Sequence, residues 1–473
     1  MTSINDSNLL QSDQSLGCKM SQTRIEVLAQ EWLRLDQDNE TRSKIERLLE
    51  QQDHAELGSR LCTRLTFGTA GLRAQMGAGY PFINSLTIIQ TSQGLAAYLI
   101  KEGVASGGIV VGYDARHNSK KFARLAAAAF TAKGIRVWWY EDLVHTPMVP
   151  FGVNELAAAA GIMITASHNP AQDNGYKVYG SNGCQINTPV DSYIAASILE
   201  NLEPITWDIE KGASLRTPIL ASMKAKYFQK LSAFVGYPGR YMRSPPFVYT
   251  PMHGVGNSYM TEIMTRLDNP SMTVVPEQAK PDPDFPTVRY PNPEESGALD
   301  RARAFADERG IRLVIANDPD ADRFAVAEKI DGHWKQFTGD EVGALFAYYL
   351  VKSKGSKPAF REDDVETGDN EWVLTTAVSS QMISVMAEND FTVGETLTGF
   401  KWLGNKTIDL GKQGKVTHFA YEEALGYMFP DIVRDKDGIT AAVVFLCAYA
   451  EWGSPWAKMQ ELYHHFGYAV MRF

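Results

Sequence analysis

The stretch Ala160–Pro170 has the sequence AGIMITASHNP, in which an unbroken apolar run changes abruptly into a polar turn. The run through Ile164 is typical of a fully buried strand, and Asn169-Pro170 is a turn-forming pair. Buried strands of this kind belong to parallel or mixed sheets covered by helices, which bind ligands at the carboxyl ends of their strands. The stretch therefore predicts an α/β fold with Ser167 presented at such an end.

Apolar runs that indicate strands alternate with helical patterns along the rest of the chain, at 108–112, 135–140, 247–249, 312–316, 372–375 and 416–420. At about 150 residues per domain, 473 residues correspond to about three domains. We predict three consecutive α/β domains with mixed sheets around a central cleft. The predicted segments are a disordered tail (1–22), domain 1 (23–235), domain 2 (236–340), domain 3 (341–465) and a final stretch (466–473). Two polar stretches, 211–218 and 352–370, are predicted to be boundary segments.

Composition narrows the function classes. The chain has 46 Lys and Arg against 56 Asp and Glu, a net charge of −10, which argues against a nucleic-acid or acidic-membrane binder. Its four cysteines, at positions 18, 62, 184 and 447, lie far apart without a C-x-x-C pair, so neither a zinc site nor a disulfide framework is expected. The first twenty residues lack the apolar core of a signal peptide, and the longest apolar stretch, 441–450, is too short to cross a bilayer. We expect a cytosolic monomer with a small-molecule substrate.

Ser167 and His168 follow the strand on a tight loop, and Lys177 returns close by in sequence. A serine so exposed can accept and release a phosphoryl group, whose charge Lys177 and the loop N–H groups would offset. No G-x-S-x-G surrounds Ser167, so a lipase-type nucleophile is not supported. An ordinary turn at a strand end remains the alternative.

Three carboxylates, Asp318, Asp320 and Asp322, follow another apolar strand in the sequence DPDADR. In an extended chain they point the same way, and their charges repel unless a cation lies between them. Oxygen ligands alone favour Mg²⁺ over zinc. The alternatives are a solvated acidic turn and a haloacid-type phosphatase with Asp318 as nucleophile.

Three further segments gain meaning only together: FGTAGLR at 67–73, TGFKW at 398–402 and YEEALGY at 421–427. The first is a flexible polar loop in which Arg73 can reach an anion. The second places Lys401 on a glycine-containing turn. The third offers carboxylates that can accept hydrogen bonds from sugar hydroxyls.

FGTAGLR, TASHNP, DPDADR and the Glu-Glu loop occur in this order, and the chain thereby resembles the α-D-phosphohexomutase superfamily. The likeness is closest to the phosphoglucomutase-2/phosphopentomutase branch, which includes the glucose-1,6-bisphosphate synthases. Supporting stretches lie at 86–91, 275–278, 285–288 and 435–438. The resemblance implies an intramolecular phosphotransferase that moves phosphate between C1 and C5 or C6 of a sugar through a phosphoserine and a sugar bisphosphate, which also serves as primer.

The resemblance also implies the site. Ser167 would carry the phosphoryl group and contribute, with Asp318, Asp320 and Asp322, to binding one Mg²⁺ per chain. The other catalytic residues implied are Arg73, His168, Lys177 and Lys401. The substrate-binding residues implied are Thr69, Arg323, Thr398, Gly399, Glu422 and Glu423.

The sequence departs from the family pattern in two places. Ala424 stands where the family has a serine, which weakens the hexose interpretation and is compatible with pentose phosphates. The R-x-S-G-T loop of the family's fourth, C-terminal domain does not occur, and we expect that domain to be missing, with poor mutase turnover as a consequence. The second hypothesis is therefore a non-catalytic or poorly active sugar-phosphate-binding remnant.

Overall fold

The computed structural model describes residues 21–69, 71–237, 244–352, 370–387 and 391–467. The predicted tail (1–22) and final stretch (466–473) therefore lie almost entirely outside the described residues, as does most of the predicted boundary 352–370. The helices are α1 Gln22–Leu35, α2 Asn39–Glu50, α3 His54–Leu61, α4 Ser85–Lys101, α5 Ser119–Ala132, α6 Met148–Leu156, α7 Val190–Leu199, α8 Leu220–Phe234, α9 Gly256–Arg266, α10 Asp300–Asp307, α11 Gly339–Ala347, α12 Met382–Ala387, α13 Phe400–Lys412, α14 Gly438–Trp452 and α15 Pro455–Phe466. The strands are β1 Leu72–Gln75, β2 Ile109–Tyr113, β3 Val137–Trp139, β4 Ala160–Ile164, β5 Asp173–Gly180, β6 Arg216–Pro218, β7 Phe247–Thr250, β8 Met272–Val274, β9 Leu313–Ala316, β10 Ala325–Ile330, β11 His333–Gln336, β12 Glu371–Thr376, β13 Thr392–Thr396, β14 Val416–Glu422 and β15 Gly426–Met428.

These strands form three mixed sheets in succession along the chain. The orders are β1-β5-β4-β2-β3-β6, β11-β10-β9-β7-β8 and β13-β12-β14-β15. Each sheet has a run of parallel strands, β4-β2-β3-β6, β9-β7-β8 and β13-β12-β14, which one or two antiparallel strands extend at one edge. The prediction of three α/β domains with mixed sheets is thus confirmed, although the exact domain bounds stay a prediction.

The parallel strands β2, β4, β7 and β9 are buried along their whole length. This burial on both faces explains why their sequences are unbroken apolar runs rather than alternating ones. One hydrophobic cluster extends through all three sheets and includes Val110, Tyr249 and Phe419. The three α/β units are therefore packed against one another rather than joined only by linkers. This packing fixes the relative positions of the loops at their strand ends.

The predicted boundary segment 211–218 ends in Arg216–Pro218, which forms β6 and pairs in parallel with β3, so the first sheet extends to the end of this segment. This edge strand has three residues, none of them buried, so it carries no apolar pattern by which it could be recognised.

The apolar stretch 441–450 lies inside α14, whose first turn is capped by the Asp437 side chain accepting from the Ile439 and Thr440 amides. It is a core helix of the third unit, and its residues from Gly438 through Ala448 are buried. Among the described residues, no helix combines the length and the apolar character needed to span a bilayer.

Candidate phosphoryl-transfer site

Ser167 lies directly after β4, at the carboxyl end of a central parallel strand, and only 3 % of its surface is exposed. Its backbone has a φ of 53°, in the left-handed region that a side chain with a Cβ rarely adopts. The Thr165 hydroxyl supports this conformation by accepting from the Ser167 amide at 2.9 Å. The loop is therefore a tight, held turn, as the sequence predicts.

Asp318, Asp320 and Asp322 follow β9 and are completely buried. One carboxylate oxygen of each lies within 4.8 Å of the others. Asp320 Oδ2 accepts from Ser167 Oγ at 3.2 Å, although the loops that carry the two residues follow strands of different sheets. The structure thus brings the serine and the aspartates together, which the sequence analysis could only expect.

Cations surround the outer oxygens of this cluster. Lys177 Nζ lies 2.8 Å from Asp320 Oδ2 and 2.9 Å from Asp322 Oδ2, and Lys436 Nζ lies 2.7 Å from Asp322 Oδ2. Burial alone would raise the pKa of both carboxyls, but Lys177 and Lys436 more than offset it and lower the pKa of Asp320 and Asp322. Asp318 has no lysine partner, and burial together with its two aspartate neighbours raises its pKa well above the usual range.

The residues present fit a divalent cation. Asp318 Oδ2, Asp320 Oδ1 and Asp322 Oδ1 are buried and have no hydrogen-bond partner among the described residues. A buried carboxylate oxygen without a partner is costly, and three of them together require a positive charge. The donor set contains only oxygen, which Mg²⁺ prefers.

The other predicted catalytic residues contact this cluster or its immediate surroundings. Arg73 Nη2 donates to Ser167 Oγ at 3.3 Å. Lys401, on the first turn of α13, donates through Nζ to Thr69 Oγ1 and so joins the first unit to the third. His168 Nδ1 is buried, and no described residue forms a hydrogen bond with it. Burial, followed by the charges of Arg323 and Arg73, lowers the pKa of His168 to about 3. His168 is therefore a neutral imidazole at physiological pH.

The predicted substrate-binding residues divide into two groups. Arg323 lies at the end of the aspartate loop and bonds through Nη1 to Glu294 Oε2 at 3.1 Å. Glu422 ends β14, and its buried Oε2 has no partner within the described part of the chain. In contrast, Glu423 Oε2 accepts from the Thr376 hydroxyl at 2.9 Å, inside the third unit. Thr398 is exposed, and Gly399 begins α13 with a φ of 115°.

Lys436 is a residue of the site whose role sequence reasoning missed. The stretch 435–438 contributed only to the resemblance, yet it crosses from the third unit to the aspartate loop, where the Gly438 amide donates to Ala321 O at 3.2 Å. Thr146 was missed as well: its hydroxyl donates to Asp320 Oδ2 at 2.6 Å and its amide to Asp320 O at 2.9 Å. Neither lies at the end of a strand, so the rule that found Ser167 and Asp318 does not reach them.

Arg116 holds the serine loop from behind and was also missed. Only 4 % of its surface is exposed. Its Nη1 donates to Pro170 O at 2.9 Å, and its Nη2 donates to Asn169 O at 2.7 Å and to Ser167 O. The Asp114–Arg116 turn follows β2 directly, so the strand-end rule was available as a signal.

We expect Arg116→Met to lower kcat for phosphoryl transfer by about 10- to 100-fold with a smaller change in KM, because the backbone carbonyls that Arg116 binds would lose their charged partner and the Ser167 backbone would relax. Steady-state kinetics and thermal unfolding measure the two effects separately. Arg124→Met removes an exposed arginine of the neighbouring α5 that pairs with Glu210, and serves as the control. A rise in KM with kcat unchanged would show that Arg116 does not position Ser167.

We expect Glu422→Gln to stabilise the protein above pH 7. Glu422 is 8 % exposed, and burial, only partly offset by Lys436 and Arg323, raises the pKa of Glu422 to about 7. As pH rises from 4.5 to 7, the unfolded chain ionises first, so the carboxyl lowers the free energy of unfolding over this interval. The glutamine variant does not lose this stability, so its free energy of unfolding should exceed that of the wild type by about 1–3 kcal/mol at pH 8 and by nearly zero at pH 4.5.

Urea unfolding at the two pH values measures this difference, with exposed Glu461→Gln as the matched control. A gain that is equal at both pH values would contradict the assigned cause.

The geometry defines an α/β protein whose serine, cations and metal-type carboxylates converge at strand ends, as phosphoryl transfer requires. Three family models match the chain: phosphoglucomutase/phosphomannomutase α/β/α domain I at residues 64–204, domain II at 225–331 and domain III at 338–466. The chain belongs to the phosphoglucomutase/phosphomannomutase family. The resemblance to the α-D-phosphohexomutase superfamily is thus confirmed.

Relatives of known name agree. The chain is 45 % identical to the phosphoribomutase of Saccharomyces cerevisiae over 89 % of its length and 71 % of the yeast protein. It is 45 % identical to human phosphopentomutase, covering 89 % of this chain and 71 % of that protein. It is 40 % identical to human glucose 1,6-bisphosphate synthase, covering 99 % and 77 %.

Solved structures share the fold. The chain superposes on Paramecium parafusin, a phosphoglucomutase in its open form, with a TM-score of 0.64 and 19 % identity over 86 % of this chain and 76 % of that one. A phosphoglucomutase/phosphomannomutase family protein of Burkholderia thailandensis gives a TM-score of 0.68 and 17 % identity over 85 % and 80 %.

Proposed function

We propose that this chain is a Mg²⁺-dependent phosphosugar mutase that interconverts the 1- and 5-phosphates of ribose and deoxyribose, and to a lesser extent the 1- and 6-phosphates of glucose. The observation that carries the proposal is the 3.2 Å contact between Ser167 Oγ and Asp320 Oδ2, inside a cluster where each aspartate keeps one unpartnered buried oxygen. The serine is the phosphoryl carrier, and a sugar bisphosphate is both intermediate and primer.

Asp318, Asp320 and Asp322 are the residues that would hold one Mg²⁺, with Ser167 beside them. When bound, the ion offsets negative charge on the phosphoryl oxygens. Lys177 places one positive charge between two of the three carboxylates, because its Nζ contacts both Asp320 and Asp322. The lysine therefore reduces the repulsion between the aspartates and an incoming phosphate, and Thr146 fixes the orientation of Asp320.

In the first half-reaction, the bond between phosphorus and Ser167 Oγ breaks and a new bond forms to a sugar hydroxyl, which loses its proton. Arg73 lies within hydrogen-bond distance of Ser167 Oγ and offsets charge on the transferred group. We assign the proton transfer to Lys401, which gives a proton to Ser167 Oγ as the phosphoryl group leaves and takes up the proton that the sugar hydroxyl loses. Neutral His168 contributes a hydrogen bond rather than a charge. The bisphosphate then turns over, and its other phosphate returns to Ser167.

Sugar recognition is assigned to the third unit. Glu422 Oε2 has no hydrogen-bond partner among the described residues and can accept from a sugar hydroxyl. Arg323, on the aspartate loop of the second unit, lowers the pKa of Glu422 by its charge and suits a phosphate or a ring oxygen. Thr398 and Gly399 directly precede the first turn of α13, which carries Lys401. Glu423 supports this loop through the Thr376 hydroxyl.

Two observations favour pentose phosphates. The yeast and human relatives at 45 % identity are named phosphoribomutase and phosphopentomutase. At position 424 an alanine follows the two glutamates, so this loop lacks a hydroxyl with which to bind a larger sugar. We also propose that the chain is a cytosolic monomer; the wide spacing of its four cysteines in the sequence, without a C-x-x-C pair, favours a reducing compartment.

The test is turnover of ribose 1-phosphate and of glucose 1-phosphate, each with Mg²⁺ and a trace of glucose 1,6-bisphosphate. We expect a higher kcat/KM for the pentose. Ala424→Ser should raise kcat/KM for glucose 1-phosphate by about 2- to 10-fold, the value of one hydrogen bond, with little change for the pentose. Equal effects on both sugars would contradict the role of position 424, and absence of turnover on either would favour a binding protein.

A further inference from the structure

A cavity of about 170 Å³ lies behind the active-site loop, between α4, α7 and the segment that leads into β1. Its apolar wall includes Phe67, Leu72 and Ile198, and its polar side is formed by Arg64 and Gln90. Cavities of about 150 Å³ in protein interiors accept a molecule the size of benzene. The space is therefore large enough for a small organic ligand.

Arg64 is a cation without a carboxylate partner. Its Nη1 and Nη2 donate to a single neutral atom, Gln90 Oε1, at 3.2 and 2.9 Å, and its guanidinium lies 4.1 Å from the centroid of the Tyr80 ring. Among the described residues, no Asp or Glu forms an ion pair with it. Since a guanidinium has five N–H donors, three remain for a ligand.

The partners of Arg64 are themselves fixed. Gln90 is 2 % exposed, and its Nε2 donates to Leu202 O at 2.8 Å, which orients Oε1 toward the arginine. Tyr80 is 7 % exposed. Burial lowers the pKa of the Arg64 guanidinium, as expected for a cation with few charged neighbours. A largely desolvated cation is costly to keep unless an anion is present to pair with it.

We propose that this cavity is a second binding site, separate from the aspartate cluster, for a small organic anion: a carboxylate at Arg64 with a compact apolar body against Phe67, Leu72 and Ile198. A guanidinium binds a carboxylate through two parallel hydrogen bonds, which fixes the orientation of the ligand. The apolar wall then selects a hydrocarbon body over a polyhydroxylated sugar.

The site is coupled to the catalytic loop by the strand that forms its wall. Leu72 lines the cavity, while the next residue of β1, Arg73, donates to Ser167 Oγ at 3.3 Å. Successive residues of a strand point to opposite faces, so a ligand against Leu72 acts on the backbone that positions Arg73. Gly68 and Gly71 exchange two backbone hydrogen bonds, which tie the residue after Phe67 to the residue before Leu72. A ligand in this cavity therefore changes the rate of phosphoryl transfer, and this consequence rests on the proposed function. The binding of the ligand to the cavity does not depend on the proposed function.

The test is binding of 4-fluorobenzoate to the full chain, followed by ¹⁹F NMR in the presence of saturating glucose 1,6-bisphosphate and Mg²⁺. We expect saturable binding that is at least tenfold weaker for the neutral isostere 4-fluorobenzamide and at least tenfold weaker in Arg64→Met. Ala195→Phe, which fills the cavity and leaves Arg64 in place, should also abolish binding. Arg73→Met should leave binding intact, because Arg73 belongs to the catalytic face.

Thermal unfolding establishes that each variant is folded. Equal affinity in the wild type and in Ala195→Phe, or equal affinity for the acid and the amide, would overturn the proposal. So would the absence of saturable binding to the wild-type chain. A chain that binds 4-fluorobenzoate as described but fails to turn over any sugar phosphate would retain this site and lose the proposed function, so the two failures are distinguishable.

Discussion

Ser167→Ala is expected to lower mutase turnover by at least about 10³-fold, because the alanine has no oxygen to carry the phosphoryl group between the two half-reactions. The fold should survive, since the substitution removes one atom from a loop held by Arg116 and Thr165. Coupled assays of ribose 1-phosphate conversion measure the loss. Thermal unfolding measures the integrity of the variant.

Ser222→Ala, on α8, is the matched control, because its hydroxyl donates to the backbone carbonyl of Ile219 in the preceding turn. A haloacid-type phosphatase with Asp318 as nucleophile would keep its hydrolytic activity in Ser167→Ala. Retained turnover in this variant would therefore contradict the phosphoserine mechanism and favour that alternative.

Asp318→Asn is expected to make the metal-free protein more stable and the enzyme inactive. Asp318 is fully buried beside two other carboxylates, and its Oδ2 has no partner among the described residues. The amide removes the buried charge yet keeps the acceptor for the Arg323 amide, now 2.9 Å from Oδ1. We expect the free energy of unfolding in chelator to rise by about 1–3 kcal/mol.

The same substitution should remove most of the stabilisation that Mg²⁺ gives the wild type, which is about 2.7 kcal/mol when the ion is present at 100 times its dissociation constant. Mutase turnover should fall by at least about 10³-fold. Chemical unfolding with and without Mg²⁺ tests both effects. Asp307→Asn, an exposed residue of the same unit that pairs with Lys329, should leave the Mg²⁺ effect unchanged. An Asp318→Asn variant that is destabilised in chelator, or that still responds to Mg²⁺, would contradict the assignment.

The sequence predicts those parts of the site that follow buried strands. The apolar runs of β4 and β9 stop abruptly, and the residues after them, Ser167 and Asp318, are found at the centre of the cluster. The edge strand β6 was not predicted, because a strand of three residues that is not buried needs no apolar pattern.

Residues that reach the site from elsewhere could not be found in this way. Lys436 and Thr146 contact the aspartate loop across long separations in sequence, and only the packing of the three units brings them there. The sequence does not indicate a binding role for Arg64, since a single arginine beside apolar residues is most often solvated. Its meaning depends on the absence of a carboxylate nearby, which is a property of the fold.

The central claim is that Ser167 itself carries the phosphoryl group. The most direct measurement is tandem mass spectrometry of the chain after incubation with glucose 1,6-bisphosphate and Mg²⁺. The account predicts phosphate on Ser167, exchange of ¹⁸O-labelled phosphate on Ser167 for unlabelled phosphate when ribose 1-phosphate is added, and no phosphate at position 167 in Ser167→Ala. Phosphate on a different residue, or sustained turnover with Ser167 never labelled, would contradict it.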